Sequence, residues 1–205
     1  MKKTLLTGMA LFTLLSVSAQ KEPVDYVNPF IGTTNYGTTN PGALCPQGMM
    51  SVTPFNVMGS EMNRYDKDSR WWSAPYSSDN KYFTGFSHIN LSGVGCPEAG
   101  LALTMPTSGQ LMVDYHFYGS EYTSEVAEPG YYGCELLAHG IKAEVSATTR
   151  TSIERYTFPG GQGNILVNFG EGLTNETGAW IRQLLAAREA VSYTHLRAHE
   201  TLRYL

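Results

Sequence analysis

Thirteen residues, Gly85-Phe86-Ser87-His88-Ile89-Asn90-Leu91-Ser92-Gly93-Val94-Gly95-Cys96-Pro97, hold the densest set of chemically versatile groups in the chain. His88, Asn90 and the two serines offer donors and acceptors suited to a hydroxyl-rich ligand, while the glycines allow close backbone approach or positive φ. The mixture reads as a turn-rich loop rather than a helix or plain strand. It also suits a tight structural turn around one satisfied histidine.

Trp71 and Trp72 form a second platform, flanked by Arg70 and Asp68 and enriched by Tyr65, Tyr76 and Tyr82. On an extended strand the two indoles point to opposite faces, so one can stack on the C–H face of a sugar while the other packs inward. Both can equally serve packing alone. Acidic residues are plentiful: Glu61, Asp66, Asp68, Asp79, Glu98, Glu121, Glu125 and Glu128. Glycoside hydrolysis needs two opposed carboxyl groups, but linear order does not show which of these face one another. Glu98 directly follows the polar loop, and a structural role suits it best.

Other chemistries find little support. Gly93-Val94-Gly95 lacks the strand–glycine–helix setting of a nucleotide site. No Gly-x-Ser-x-Gly elbow is present, and Cys96 has no evident base partner. Cys45, Cys96 and Cys134 lack the short spacing of a zinc site, and three cysteines make no disulfide framework. His195 and His199, four apart, need a third ligand to bind metal well.

The elements that must position these groups are mostly strands. Leu101–Pro106, Gly109–Asp114, Tyr131–Leu137, Ile141–Thr149, Ser152–Phe158 and Asn164–Phe169 are short apolar-rich runs between turn signals. Ile141, Ala143, Val145 and Ala147 alternate with Lys142, Glu144, Ser146 and Thr148, the period of a half-buried sheet. The fold class is therefore all-β, an antiparallel β-sandwich. Helical spacing recurs only near the end, in Ile181, Leu184, Leu185 and Ala187 or Val191. From Thr33 to Pro54, prolines, glycines and asparagines are dense enough to exclude a helix, and so long a connection raises the case for binding.

Residues 1–19 read as a signal peptide: Lys2 and Lys3, an apolar stretch from Leu5 to Val17, then a small-residue cleavage site. The protein is expected to be periplasmic or secreted, with no membrane span after signal removal. The formal charge of −4 becomes −6 without the two leader lysines, which disfavours nucleic acid as a partner. About 170 residues then remain, enough for one domain with a real core.

Ordered blocks of sequence resemble glycoside hydrolase family 92, the exo-acting α-mannosidases. They are Asn28-Pro29-Phe30-Ile31-Gly32-Thr33, Pro41-Gly42-Ala43, Pro46-Gln47-Gly48-Met49, Gly85-Phe86-Ser87-His88, Leu91-Ser92-Gly93-Val94-Gly95-Cys96, Glu128-Pro129-Gly130-Tyr131-Tyr132 and Arg155-Tyr156-Thr157-Phe158-Pro159. The likeness runs from about residue 24 to about residue 170. It implies an amino-terminal β-sandwich whose partner is a carboxy-terminal catalytic (α/α)₆ barrel, missing here. It also implies inverting hydrolysis of terminal α-mannose from glycans, α-1,2-linked by expectation, with dependence on calcium. The general acid, the general base and most calcium ligands are expected on the barrel, so this piece alone is expected to be inactive.

By the same resemblance, Trp71, Trp72, Ser87, His88, Asn90 and Gly93 form part of a sugar-binding wall, with the Gly32–Gly48 segment nearby. Ile89-Asn90 and Pro46-Gln47-Gly48 depart from the family's Thr-His and Pro-Phe-Gly, which leaves the linkage preference open. Residues 20–175 are assigned to the sandwich and 176–190 to a linker or helix leading to the barrel. Residues 191–205 resemble translated adapter sequence rather than native protein. The alternatives are a stand-alone carbohydrate-binding module and a non-catalytic exported structural domain.

Overall fold

The structure, a computed structural model, describes residues 21–34, 36–67, 72–93, 95, 99–170 and 172–173, with the backbone of two further strands at 179–184 and 189–194. After a 3₁₀ turn at Pro23–Tyr26 come β1 (Ala43–Leu44), β2 (Ser51–Phe55), β3 (Tyr82–Phe83), β4 (Gly85–His88) and β5 (Leu103–Ser108). A single helical turn, α1 (Tyr115–Tyr118), precedes β6 (Ser120–Glu128), β7 (Tyr131–Leu136), β8 (Ile141–Ala147), β9 (Ser152–Thr157) and β10 (Gly163–Asn168). The last strands are β11 (Ala179–Leu184) and β12 (Glu189–Thr194).

The strands form two five-stranded antiparallel sheets, ordered β1-β2-β4-β5-β10 and β3-β6-β7-β8-β9, plus the hairpin β11-β12. The all-β sandwich expected from the alternating runs is thus the observed architecture. On β8, Ile141, Ala143, Val145 and Ala147 are buried against the first sheet, as their period of two requires. They pack with Val52, Phe83, Phe86 and Tyr132 in the core between the sheets.

The first sheet is covered on its other face as well. Phe55 and Leu103 point away from the sandwich core and join Val57, Met58, Tyr65, Trp72 and Ala74 in a second core. This second core lies under the long excursion of residues 56–81 that connects β2 to β3. Every residue of β2 is buried in consequence.

Several expectations are corrected. Gly85–His88 is not loop but a central strand, and the turn begins only at Ile89, where φ is +57°. Burial on both faces removes the polar/apolar alternation that marks a strand. Gly109–Asp114 forms no strand; Asp114 instead caps α1, accepting a hydrogen bond from the His116 amide at 3.0 Å. The helix expected around Ile181–Val191 is replaced by the β11-β12 hairpin, whose Trp180, Ile181, Val191 and Tyr193 are good strand formers. β6, the longest strand at nine residues, is unforeseen.

Candidate functional site

Three stretches that are distant in sequence converge on the outer side of the first sheet. Gly93 N–H donates to the Thr38 carbonyl at 2.8 Å, so the turn after β4 meets the opening segment. Tyr36, two residues before Thr38, packs on Trp72 with ring centroids 5.5 Å apart and on Tyr65 at 5.4 Å. Tyr65 and Trp72 are stacked, 4.4 Å apart and 23° from parallel. Trp72 is therefore the inward-packing indole, only 4% exposed, while Tyr36 is 74% exposed. Trp71 lies outside the described residues. So do Asp68, Arg70 and Glu98.

Trp72 leaves one group unsatisfied: its buried Nε1–H has no hydrogen-bond partner among the described residues. A buried donor left without an acceptor costs about 1–3 kcal/mol.

The excursion that carries Trp72 is stapled by buried asparagines. Asn56 Nδ2 donates to the Ser77 carbonyl at 2.8 Å and to the Tyr122 hydroxyl at 2.7 Å, and its Oδ1 accepts from Ser77 N–H at 2.8 Å. The Asn56 carbonyl accepts from Asn63 Nδ2 at 3.0 Å and from Asn80 Nδ2 at 2.8 Å. The Tyr122 hydroxyl itself donates to the Asn80 carbonyl at 2.9 Å, fastening the excursion to β6 of the second sheet. Amides suit this task because each presents donors and an acceptor that can satisfy loop backbone where no ladder exists.

Ser87, Asn90 and Gly93 occupy the same side as Trp72. Register places Thr53, Ser87 and Leu103 side by side on one face. Ser87 is fully buried; its hydroxyl donates to Asn90 Oδ1 at 2.9 Å, and Asn90 Nδ2 returns a bond to the Ser87 carbonyl at 2.9 Å. These two polar side chains close the turn on themselves. Gly100, at φ +86°, lies against both, since a Cβ there would stand 3.0 Å from Ser87 Oγ and 3.1 Å from Asn90 Oδ1. Gly93 faces open space, with nothing within 4 Å of where its Cβ would be.

His88 points the other way. It pairs with Val52 of β2 on the inner face, and both its ring nitrogens are engaged: Nδ1 with the Ala102 carbonyl at 3.0 Å, Nε2 with Glu154 of β9. Burial, the largest influence, pulls its pKa down, yet the Glu154 carboxylate and the Ala102 carbonyl together hold it above the usual 6.5. The structure thus brings together Trp72, Ser87, Asn90 and Gly93, and assigns His88 to holding the two sheets.

The carboxylates are also distributed. Asp66 is buried and accepts from Ser60 N–H at 2.8 Å; Asp79 lies 3.9 Å from Arg64. Glu125 accepts from the Tyr76 and Tyr132 hydroxyls, each at 2.8 Å. Among the described residues, no three His, Cys, Asp or Glu side chains gather as a metal site. The described residues therefore offer calcium no cluster of carboxylates. Cys45 and Cys134 are free thiols, the latter buried in β7.

Tyr36 is the residue sequence reasoning missed. Its only signal is an aromatic set among turn formers in Asn35-Tyr36-Gly37, which is weak without knowledge of what lies beneath it.

Comparison with known proteins narrows the class of this β-sandwich. Residues 26–201 match the glycosyl hydrolase family 92 N-terminal domain, and the chain belongs to that family. The GH92 α-mannosidase BT3965 from Bacteroides thetaiotaomicron is 31% identical with a TM-score of 0.64, covering 73% of this chain and 20% of its own. Its complex with mannoimidazole matches at 32% identity with the same TM-score and coverage. The GH92 glycosyl hydrolase ccman5 is 27% identical with a TM-score of 0.66, over 78% of this chain and 22% of its own. A protein from Arthroderma benhamiae described as an uncharacterized secreted glycosidase is 28% identical over 168 residues, 76% of this chain and 20% of the relative. The chain spans about a fifth of the length of these relatives. Among the described residues, no helix is long and apolar enough to cross a membrane.

Proposed function

We propose that this chain is the substrate-wall domain of an exported, inverting, calcium-dependent exo-α-mannosidase, acting on terminal α-1,2-linked mannose. The observation that carries this reading is its likeness in sequence and fold to the α-mannosidase BT3965, a protein also solved with mannoimidazole. The patch supports it chemically. Tyr36 offers an exposed ring for a pyranose C–H face, backed rigidly by Trp72 and Tyr65.

Catalysis requires a general acid and a general base on either side of the scissile bond, far enough apart for a water in an inverting enzyme. In this reading both belong to a second domain of the same enzyme, together with the calcium ligands. The chain alone then binds mannosides weakly and does not turn them over. An assay of the isolated chain on α-1,2-mannobiose with calcium, paired with calorimetric titration of the same sugar, tests this. No turnover and weak binding are expected. Turnover comparable with a complete family member would overturn the reading, and tight binding without turnover would instead favour a carbohydrate-binding module.

A further inference from the structure

His88 ends β4 and Ala102 immediately precedes β5, so these residues form the neck of the turn between them. Backbone bonds hold the neck: His88 N–H to the Ala102 carbonyl at 3.2 Å, Leu101 N–H to the His88 carbonyl at 3.0 Å, and Gly100 N–H to the Ile89 carbonyl at 3.0 Å. The Ala102 carbonyl also faces His88 Nδ1 at 3.0 Å, and because a carbonyl only accepts, Nδ1 carries a hydrogen. Nε2 faces Glu154 Oε1. Glu154 Oε2 meanwhile accepts from Thr104 Oγ1 at 2.8 Å and from the Tyr156 hydroxyl. Oε2 thus acts as acceptor only, one proton lies between Nε2 and Oε1, and because His88, Tyr156 and Thr104 hold the Glu154 carboxyl below its ordinary pKa that proton belongs to Nε2 and the ring is an imidazolium.

We infer that Glu154 is a positioning residue: its ion pair with His88 clasps the neck of the 89–101 turn to the second sheet, and loss of the shared proton loosens that neck. The inference goes beyond the mannosidase reading, because it concerns how the turn bearing Gly93 is held, whatever ligand the turn meets.

Neutral imidazole cannot satisfy both partners. If Nδ1 keeps its hydrogen, the Nε2 lone pair faces the Glu154 carboxylate; if Nε2 keeps it, the Nδ1 lone pair faces the Ala102 carbonyl. Among the described residues the surroundings add no competing charge. β9 contributes Glu154 and Tyr156, β5 contributes Thr104, β2 sets Val52 opposite His88, and Cys134 of β7 lies close enough to Tyr156 to act on it. Burial raises the pKa of both Tyr156 and Cys134, which keeps them neutral through the physiological range. Burial also works to raise that of Glu154, but His88, Tyr156 and Thr104 together hold it below 4.5. Since folding raises the His88 pKa, its contribution is complete below 6.5 and is lost as pH climbs through the folded value. The Glu154 contribution is complete above 4.5 and is lost as pH falls through its own lowered value, so the clasp is fully formed between about 4.5 and 6.5.

NMR titration of the full chain reads the His88 ring directly, with its signal assigned by its disappearance in His88→Gln. Amide-exchange protection at His88, Gly100 and Leu101 reads the neck. His88 is expected to titrate above 6.5. Protection at these three amides is expected to fall by up to about tenfold per pH unit beyond that point, while the β7–β8 ladder holds. Glu154→Gln should bring the His88 pKa to its ordinary value or lower and leave the neck weakly protected at every pH. Titration of His88 at or below 6.5 in the unaltered chain would overturn the inference even if the variant failed to fold. So would neck protection that is independent of pH and unchanged in Glu154→Gln.

Discussion

Asn56 and Tyr122, sixty-six residues apart, meet through a 2.7 Å hydrogen bond in which the Asn56 amide donates to the Tyr122 hydroxyl. Asn56 opens the excursion that carries Trp72, and Tyr122 belongs to β6, so one contact registers the aromatic patch against the second sheet.

The contact has a measurable weight. Tyr122→Phe removes the acceptor of Asn56 Nδ2 and the donor to the Asn80 carbonyl, both buried. A loss of about 1–2 kcal/mol is expected in urea unfolding. Asn56→Ala also strands the Ser77 amide and takes one of the two donors from the Ser77 carbonyl, which keeps the Asn80 amide at 3.1 Å, and should cost about 3 kcal/mol. Equal effects of the two substitutions would mean that the Ser77 contacts carry no weight.

Trp72 yields a prediction of opposite character. Removing a side chain this buried usually costs about 3–5 kcal/mol, which is expected for Trp72→Ala. Trp72→Phe keeps the ring stack on Tyr65 and removes a donor that has no partner among the described residues, so much of the lost packing should be offset by relief of that desolvated group. A cost near 1 kcal/mol is expected for the phenylalanine. If Trp72→Phe destabilises as much as Trp72→Ala, the indole nitrogen is satisfied in solution.

The legible parts of this fold were those with one wet face. β8 could be read residue by residue because Lys142, Ser146 and Thr148 alternate with core positions. β2 and β4 could not, since the excursion dries their second face and erases the pattern. β6 hides for another reason: a bulge between Thr123 and Val126 changes which parity points inward, from Ser120 and Tyr122 before it to Glu125 and Ala127 after it. The polar loop is unusual in composition, but its histidine and its tryptophan neighbourhood lie on opposite faces of one sheet. The partner that decides the role of His88 is Glu154, sixty-six positions further along the chain, and no local spacing reveals it.

The bulge is testable in its own right. Ser124 sits at φ +55°, where an L side chain is strained and glycine is not. Ser124→Gly should therefore be neutral or stabilising by up to about 1 kcal/mol, whereas Ser124→Val should destabilise by about 1–2 kcal/mol in thermal or urea unfolding. A valine tolerated without loss would indicate that β6 shifts its register freely.

Cys134 gives a chemical readout of the core. Burial pushes its thiol pKa up to about 12, so the reactive thiolate is scarce at neutral pH, and the side chain is buried between Tyr132 and Leu136 on β7. Cys45 is partly exposed, with its thiol directed at the Ala147 carbonyl at 3.3 Å. Brief alkylation at pH 7 followed by peptide mapping should label Cys45 and leave Cys134 unmodified until denaturant is added. Labelling of Cys134 in the native protein would show the sheets parting on the timescale of the reaction.

On the outer face of the second sheet, Glu144 accepts from Arg155 at 2.8 Å, from the Tyr131 hydroxyl at 3.0 Å and from Lys142 at 3.2 Å. Arg155 is the chief cause, with Tyr131 and Lys142 assisting, of a carboxyl pKa lowered from 4.5 to about 2. Folding depresses this pKa, so the stabilisation is present above 4.5 and is lost as pH falls toward 2. The expected signature is a steeper acid decline of the urea midpoint between those values in the native sequence than in Glu144→Gln. Salt should blunt the difference only in part, because Arg155 is solvent-exposed while Glu144 is nearly buried. Parallel acid profiles for the two proteins would show that the cluster forms without contributing to stability.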